Sequence, residues 1–295
     1  MDLPTGVKRA FDEVLTDRVS GSSTLAYKAL EALRLISTID GLERRRLISL
    51  ARDLAFCRPT FAALTNLVSE AIANALSSSD PLAESLPKES ARLQKSILDA
   101  RKKMAEELKA IVKHNVTVMT LSNSGAVAEA LRALSDTVSV VFVCESRPGE
   151  EGRILANKLP SWGVKAHLIP DSAAGAVMQD VDFVLMGADA IYDNGPVVNK
   201  IGSSTLSKLA YLERSGIFVL VESFKVIPRG YALKLEFDER RSTPMYDITP
   251  WKYSQIFISE LGRLRKPLLS ALGLEHAANL SILNSPEAQQ RTAER

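Results

Sequence analysis

Five short clusters hold the residues best suited to chemistry. Thr120-Leu121-Ser122-Asn123-Ser124-Gly125 groups hydroxyls, an amide and a glycine ahead of a run of small residues. At a helix N-terminus such a group makes an anion cradle, because free backbone N–H groups point outward there. The same residues also suit an ordinary strand-to-helix turn capped by Ser or Asn. Glu145-Ser146-Arg147-Pro148-Gly149 offers an arginine beside a proline, fit for bidentate binding of phosphate or carboxylate, or for a plain surface turn. Gly187-Ala188-Asp189, followed by Asp193-Asn194-Gly195 and Asn199-Lys200-Ile201-Gly202-Ser203, is the richest stretch. Asp189 could serve there as a general base, Lys200 could neutralise a phosphate, and Asn199 could hydrogen-bond sugar hydroxyls. A capped turn with a surface lysine is the alternative. Glu222-Ser223-Phe224-Lys225 comes next, and Tyr246-Asp247-Ile248-Thr249-Pro250 closes the series. In the last, Asp247 and Thr249 either bridge to other site groups or cap a helix starting near Pro250.

Other chemistries are disfavoured. The two cysteines, Cys57 and Cys144, make no disulfide scaffold and lack zinc-ligand spacing. Cys57 is expected buried in an apolar helix and Cys144 in a strand. His114, His167 and His276 are far apart, with no H-x-x-x-H or H-E-x-x-H pattern, so neither a metal site nor a Ser/His/Asp arrangement is expected. The G-x-G-x-x-G and G-x-x-x-x-G-K-[ST] loops are missing, which disfavours a dinucleotide cofactor and an NTPase of that type; no cofactor is expected. Lys+Arg 37 against Asp+Glu 35 gives a net charge of +2, unlike a protein that coats nucleic acid or anionic lipid. Residues 1–18 are amphipathic and mixed in charge, with no apolar leader, and no apolar run approaches the ~20 residues that span a bilayer. A cytoplasmic protein is expected.

These clusters need elements to position them. The 295 residues suggest two domains, since about 100–200 is typical of one. Apolar residues at 3–4 spacing predict helices over Leu25–Ile36, Leu42–Phe56 and Phe61–Leu76, with Ser22, Ser23 or Thr24 capping the first and Thr60 the third. A polar break at 77–81 precedes a long helix over Ser90–Val112. From Asn115 onward the texture changes. Val116–Leu121, Val138–Cys144, Lys165–Ile169, Phe183–Met186 and Ile217–Val221 read as strands buried on both faces, separated by helical stretches. The predicted fold class is α/β: a helical domain over 1–112, then a Rossmann-like, doubly wound parallel sheet over 113–295, with ligands at the carboxyl ends of the strands. The polar tail 285–295 is expected to fray.

Together the motifs resemble the superfamily uniting the alpha, beta and delta subunits of translation initiation factor 2B with the isomerases of ribose 1,5-bisphosphate and methylthioribose 1-phosphate. The matching segments are Cys57-Arg58-Pro59-Thr60, Val118–Asn123, Glu145–Pro148, Gly187–Ala190, Asn194–Gly202, Glu222–Lys225 and Asp247–Pro250, in the family's order. The resemblance implies a sugar-phosphate pocket between a helical and a Rossmann-like domain. It also implies a homodimer or higher oligomer through the C-terminal domain, and related initiation-factor subunits as partners. The ligand would be a phosphorylated pentose or nucleotide monophosphate, with no direct contact to nucleic acid or membrane. It places Ser20, Gly21, Ser22, Arg58, Asn123, Ser124, Arg147, Asn199 and Lys200 at ligand-binding positions, and Asp189 and Ser122 at the catalytic ones. Two departures follow. The isomerases carry a Cys where this chain has Ser122, and an Arg-Gly pair where it reads Val19-Ser20-Gly21-Ser22-Ser23. A hydroxyl is a far weaker acid than a thiol of reference pKa ~8.5, so the resemblance implies retained binding with a non-catalytic, regulatory role. An aldose-ketose isomerase with Asp189 as base is the alternative.

Overall fold

Up to Lys109 the described residues form helices and connecting turns only. These are α1 Thr5–Thr16, α2 Ser22–Ile36, α3 Arg44–Phe56, α4 Ala62–Ser77 and α5 Leu82–Lys109. In this computed structural model the described residues are 3–284, without 229, 232, 254 and 255, so the tail 285–295 lies outside them. The amphipathic N-terminal segment folds as α1, with Val7, Phe11 and Val14 turned to the core at helical spacing. Helix α5 starts eight residues before the expected Ser90. Pro87 forfeits one backbone bond without ending it, because Ser85, Leu86 and Ser90 are buried against the bundle.

The remaining helices are α6 Gly125–Ala133, α7 Glu151–Lys158, α8 Ala174–Val177, α9 Ser203–Glu213 and α10 Lys266–Leu283. The strands are β1 Val116–Leu121, β2 Val138–Cys144, β3 Ala166–Ile169, β4 Phe183–Met186, β5 Ala190–Tyr192, β6 Val197–Lys200 and β7 Gly216–Leu220. After them come β8 Val226–Ile227, β9 Phe237–Asp238, β10 Thr243–Pro244, β11 Tyr246–Thr249, β12 Ile256–Ser259 and β13 Gly262–Arg263. The central sheet has the order β13-β12-β7-β4-β1-β2-β3, parallel throughout except for the antiparallel edge strand β13. All five expected strands are present within one residue of their expected ends. Strand β12 and the small sheet β11-β6-β5-β8 were not expected; their pieces of two to four residues are too short to carry a periodic signal.

Three apolar clusters hold the layers together. One lies among α1–α5 and extends to Ala190, Val198, Ile227 and Tyr246 of the small sheet, to Phe224 and to Leu283 of α10. The second joins Met104, Ala105 and Leu108 of α5 to α6 and one face of the sheet. The third packs α8 and α9 on the other face. Helix α10 thus returns from the chain's far end onto α4. Asn66 of α4 donates from Nδ2 to the carbonyls of Phe224 and Val226, at 2.9 Å each, and His276 of α10 bonds the Val226 carbonyl at 2.7 Å. These buried bonds tie the helical layer to β8.

Several local expectations are corrected. The helix expected near Pro250 is a three-residue 3₁₀ turn, Trp251–Tyr253. Asp247 lies in β11 and caps a different helix: its carboxylate accepts from the Gly202 and Ser204 backbone N–H groups at the start of α9. Cys57 follows the last turn of α3 and is half-buried at a cleft wall, because the chain turns at Arg58-Pro59. Thr60 caps nothing; its hydroxyl donates to the Lys234 carbonyl at 2.8 Å. Gly21 is the N-cap of α2, which frees the Ser22, Ser23 and Thr24 hydroxyls from capping.

Candidate functional site

Strands β1, β2 and β3 progress toward one edge of the sheet, and β4, β7 and β12 toward the other. The switch point therefore lies between β1 and β4, whose carboxyl-end loops diverge and leave a crevice. Loop 121–125 and loop 187–189 form its floor. Helix α2, the turn 57–61, Arg101 of α5 and residues 234–239 form its walls, enclosing a cleft of about 1150 Å³. The floor loops touch: a Cβ on Gly187 would come 2.4 Å from Ser124 Oγ, so glycine alone permits this approach.

The cleft gathers nearly all the residues read from the sequence. Ser20, Gly21, Ser22, Arg58, Ser122, Asn123, Ser124, Asp189, Asn199 and Lys200 all line it. Arg147 does not. Its exposed guanidinium pairs with Glu145 at 3.2 Å and Glu150 at 2.6 Å, and it lines a separate recess of about 310 Å³ with Pro148, Ile201, Arg241 and Thr243. Ser124 is the N-cap of α6 and accepts from Val127 N–H at 3.4 Å. Ser122 adopts a left-handed backbone at φ 63°, with its N–H held by Ser146 Oγ.

Charged groups meet on the floor. Burial pushes the Asp189 carboxyl above the ordinary aspartate range, opposed by Lys225, the nearby Ser22 hydroxyl, Lys200 and Arg58. Glu222, also buried, is pushed up by burial but held below its ordinary range by Lys225 and by the Ser23 hydroxyl, which donates to Oε1 at 2.7 Å. Lys225 Nζ sits 2.7 Å from Glu222 Oε2 and donates to the Ala188 carbonyl at 2.7 Å, beside Asp189.

The other inward cations are paired as well. Arg58 makes a forked contact with Glu236, with Nη2–Oε2 at 2.8 Å, and stacks 4.4 Å from the Phe61 ring centroid. Lys200 Nζ lies 2.7 Å from Glu151 Oε1 and 5.1 Å from the Tyr246 ring centroid. Asn199 donates to Ser203 Oγ at 2.9 Å and lines the cleft. Burial pushes the Cys57 thiol up to about 11 and the Cys144 thiol up to about 12, so neither is a thiolate near neutrality. Among the described residues no group of three His, Cys, Asp or Glu side chains is placed to hold a metal ion, and no helix is long and apolar enough to cross a membrane.

Sequence reading missed Arg101, Glu151 and Glu236 as cleft residues. Arg101 belongs to the run Arg101-Lys102-Lys103, which resembles a solvated helix face. Glu236 carried no signal, since only tertiary packing brings it to Arg58 across 178 residues.

Comparison with known proteins agrees with this architecture. A sequence profile described as the initiation factor 2 subunit family matches residues 18–242. The chain belongs to that family. One family relative, the ribose 1,5-bisphosphate isomerase of Haloferax volcanii, is 30% identical over 289 residues, covering 87% of this chain and 88% of that protein. Among solved structures, the translation initiation factor eIF-2B of Pyrococcus horikoshii OT3 superposes with a TM-score of 0.77 at 25% identity, covering 89% of this chain and 98% of that one. A chain of the tetrameric eIF2B-beta2-delta2 complex from C. thermophilum gives 0.77 at 17% identity, covering 94% and 96%, a likeness of fold. The family thus includes proteins named as isomerases and proteins named as initiation factors, on one scaffold.

Proposed function

We propose that the chain binds a phosphorylated pentose or a nucleotide monophosphate in this cleft and acts as a regulatory, non-catalytic member of its family. Ser122 carries the reading. The family resemblance puts a proton-shuttling thiol at this position in the isomerases, and a hydroxyl needs an adjacent strong base to replace it. Among the described residues no side chain hydrogen-bonds the Ser122 hydroxyl. Cys57 and Cys144 stand elsewhere, with thiols that stay protonated. The binding groups remain: Arg58, Lys200 and Asn199 with the loop 122–124, between residues 1–112 as one unit and 113–295 as the other. By analogy with the tetrameric relative, the chain assembles with itself through its C-terminal part or with related subunits, in the cytoplasm.

An isomerase reading is favoured by one observation. Asp189 sits at the switch point, and burial holds its carboxyl above the ordinary aspartate range, the direction that suits a general base. Calorimetry and a turnover assay with ribose 1,5-bisphosphate separate the two. We expect binding without turnover, and turnover gained in Ser122→Cys and lost again with Asp189→Asn. Wild-type turnover at enzymatic rates that Asp189→Asn abolishes overturns the regulatory reading. Failure of ribose 1,5-bisphosphate, ribose 5-phosphate and AMP alike to bind overturns both.

A further inference from the structure

We infer that Arg101 is the principal anion-holding residue of the cleft, clamping a phosphoryl group between the N-termini of α2 and α6. The inference rests on the ligand class proposed above and assigns its phosphoryl group a place. Each of the other deep cations already has a carboxylate: Arg58 has Glu236, Lys200 has Glu151 and Lys225 has Glu222. An anion must compete with those carboxylates to reach them. Among the described residues Arg101 has no carboxylate partner. Among the described residues its one hydrogen bond is a long one from Nη2 to Thr24 Oγ1 at 3.4 Å, and its Nε is buried with no partner there. A desolvated, unpaired guanidinium donor is costly unless something fills it.

The helix ends beside Arg101 add no acidic side chain. The guanidinium lies against Gly125 at the first turn of α6; a Cβ there would sit 2.9 Å from its central carbon. Thr24, on its other side, belongs to the first turn of α2. Neither helix has an acidic residue in its first turn, and α2 has no side-chain cap. The start of α2 therefore presents free N–H groups, α6 keeps those of Gly125 and Ala126 beyond the one that Ser124 caps, and both put the positive end of the dipole beside the guanidinium. Ser22, in the same turn of α2 as Thr24, is 3% exposed and lines the cleft, with its hydroxyl near Asp189. A tetrahedral phosphoryl group carries enough acceptor oxygens to satisfy the fork and the backbone N–H groups at once.

Binding of inorganic phosphate and of ribose 5-phosphate to the full chain, measured by calorimetry, tests this. Arg101→Gln is expected to weaken both about 10- to 100-fold, as loss of charged hydrogen bonds does. Arg101→Lys falls between, keeping the charge but losing the fork. Lys102→Gln, on the exposed side of α5, binds as wild type. Gly125→Ala should weaken binding with Arg101 still present, since its methyl displaces the guanidinium. If Arg101→Gln does not fold, Gly125→Ala decides, because its methyl meets only the movable end of a side chain. Unchanged binding in the folded variants, or no phosphate binding by wild type, overturns the inference. Phosphate binding without ribose 5-phosphate binding upholds it while the pentose reading falls.

Discussion

Lys225→Met tests the electrostatic account of the cleft floor. In the wild type the Lys225 and Glu222 side chains are 5% and 1% exposed, 2.7 Å apart, and Lys225 also bonds the Ala188 carbonyl. Methionine fills much the same space but leaves Glu222 buried without its countercharge. Breaking a buried pair on one side costs about 3–5 kcal/mol. At this chain length each kcal/mol moves the Tm by about 2 °C, so a drop of about 6–10 °C is expected at pH 7. The double variant Glu222→Gln, Lys225→Met removes both charges, and Gln can still accept from the Ser23 hydroxyl. It should recover to within about 1–2 kcal/mol of wild type. The pH dependence gives a second reading of the same event. In wild type the Glu222 pKa is depressed, so its contribution holds above the ordinary glutamate range of ~4.3 and is lost as pH falls through the lower folded value. Without Lys225, burial dominates and the folded pKa rises above the unfolded one. The variant's deficit should then shrink as pH is lowered from 7 toward 4. Urea unfolding followed by circular dichroism measures all three proteins. A cost below about 1 kcal/mol for the single variant, or a double variant no better than the single, refutes the account.

Three further outcomes follow from the site. Asp189 has a raised folded pKa, so its stabilising term is fully present below the unfolded value near 3.8 and is lost as pH rises through the folded one. Asp189→Asn should therefore melt higher than wild type at pH 7, with the gain fading toward pH 4; a lower melting point at pH 7 contradicts the burial argument. Asp247→Ala removes the acceptor from the start of α9 and should cost about 0.5–2 kcal/mol in urea unfolding, whereas Asp247→Asn should retain most of it. Glu236→Gln should raise affinity for ribose 5-phosphate in calorimetry by freeing the Arg58 fork, and weaker binding would show that Glu236 helps hold the ligand.

The inner parallel strands were legible because burial on both faces leaves continuous apolar runs such as Phe183–Met186, whereas β3, expected to be buried likewise, is an edge strand with His167 and Leu168 exposed. Ser122 and Asp189 follow the carboxyl ends of β1 and β4, where a parallel sheet opens crevices, whereas Asn199 and Lys200 line the same cleft from β6 of the small sheet. What escaped depended on partners distant in sequence. Ser23 reads as a helix cap, but its hydroxyl bonds Glu222, which lies 199 residues away. Thr60 reads likewise and holds the Lys234 carbonyl instead. Arg147, placed in the site by motif alone, is drawn outward by Glu145 and Glu150, both within three residues of it. Helix α10 gave little signal because it exposes Leu274 while burying Leu269, Leu280 and Leu283, so its apolar residues do not keep to one stripe.

The bonds from Asn66 to the Phe224 and Val226 carbonyls, with His276 against the same backbone, set how the cleft can exchange its contents. They bolt the helical wall to the floor at the back of the crevice, and α10 locks over them. Swinging the whole helical layer away would strip buried donors of their acceptors and expose the apolar face of α4. The low-cost route is at the front. There the rim is Val19–Gly21, with Val19 87% exposed, and the two-residue strand β9. For the ligand proposed above, association and dissociation rates are therefore expected to depend on the rim, where residence time can be tuned without disturbing the residues on the floor.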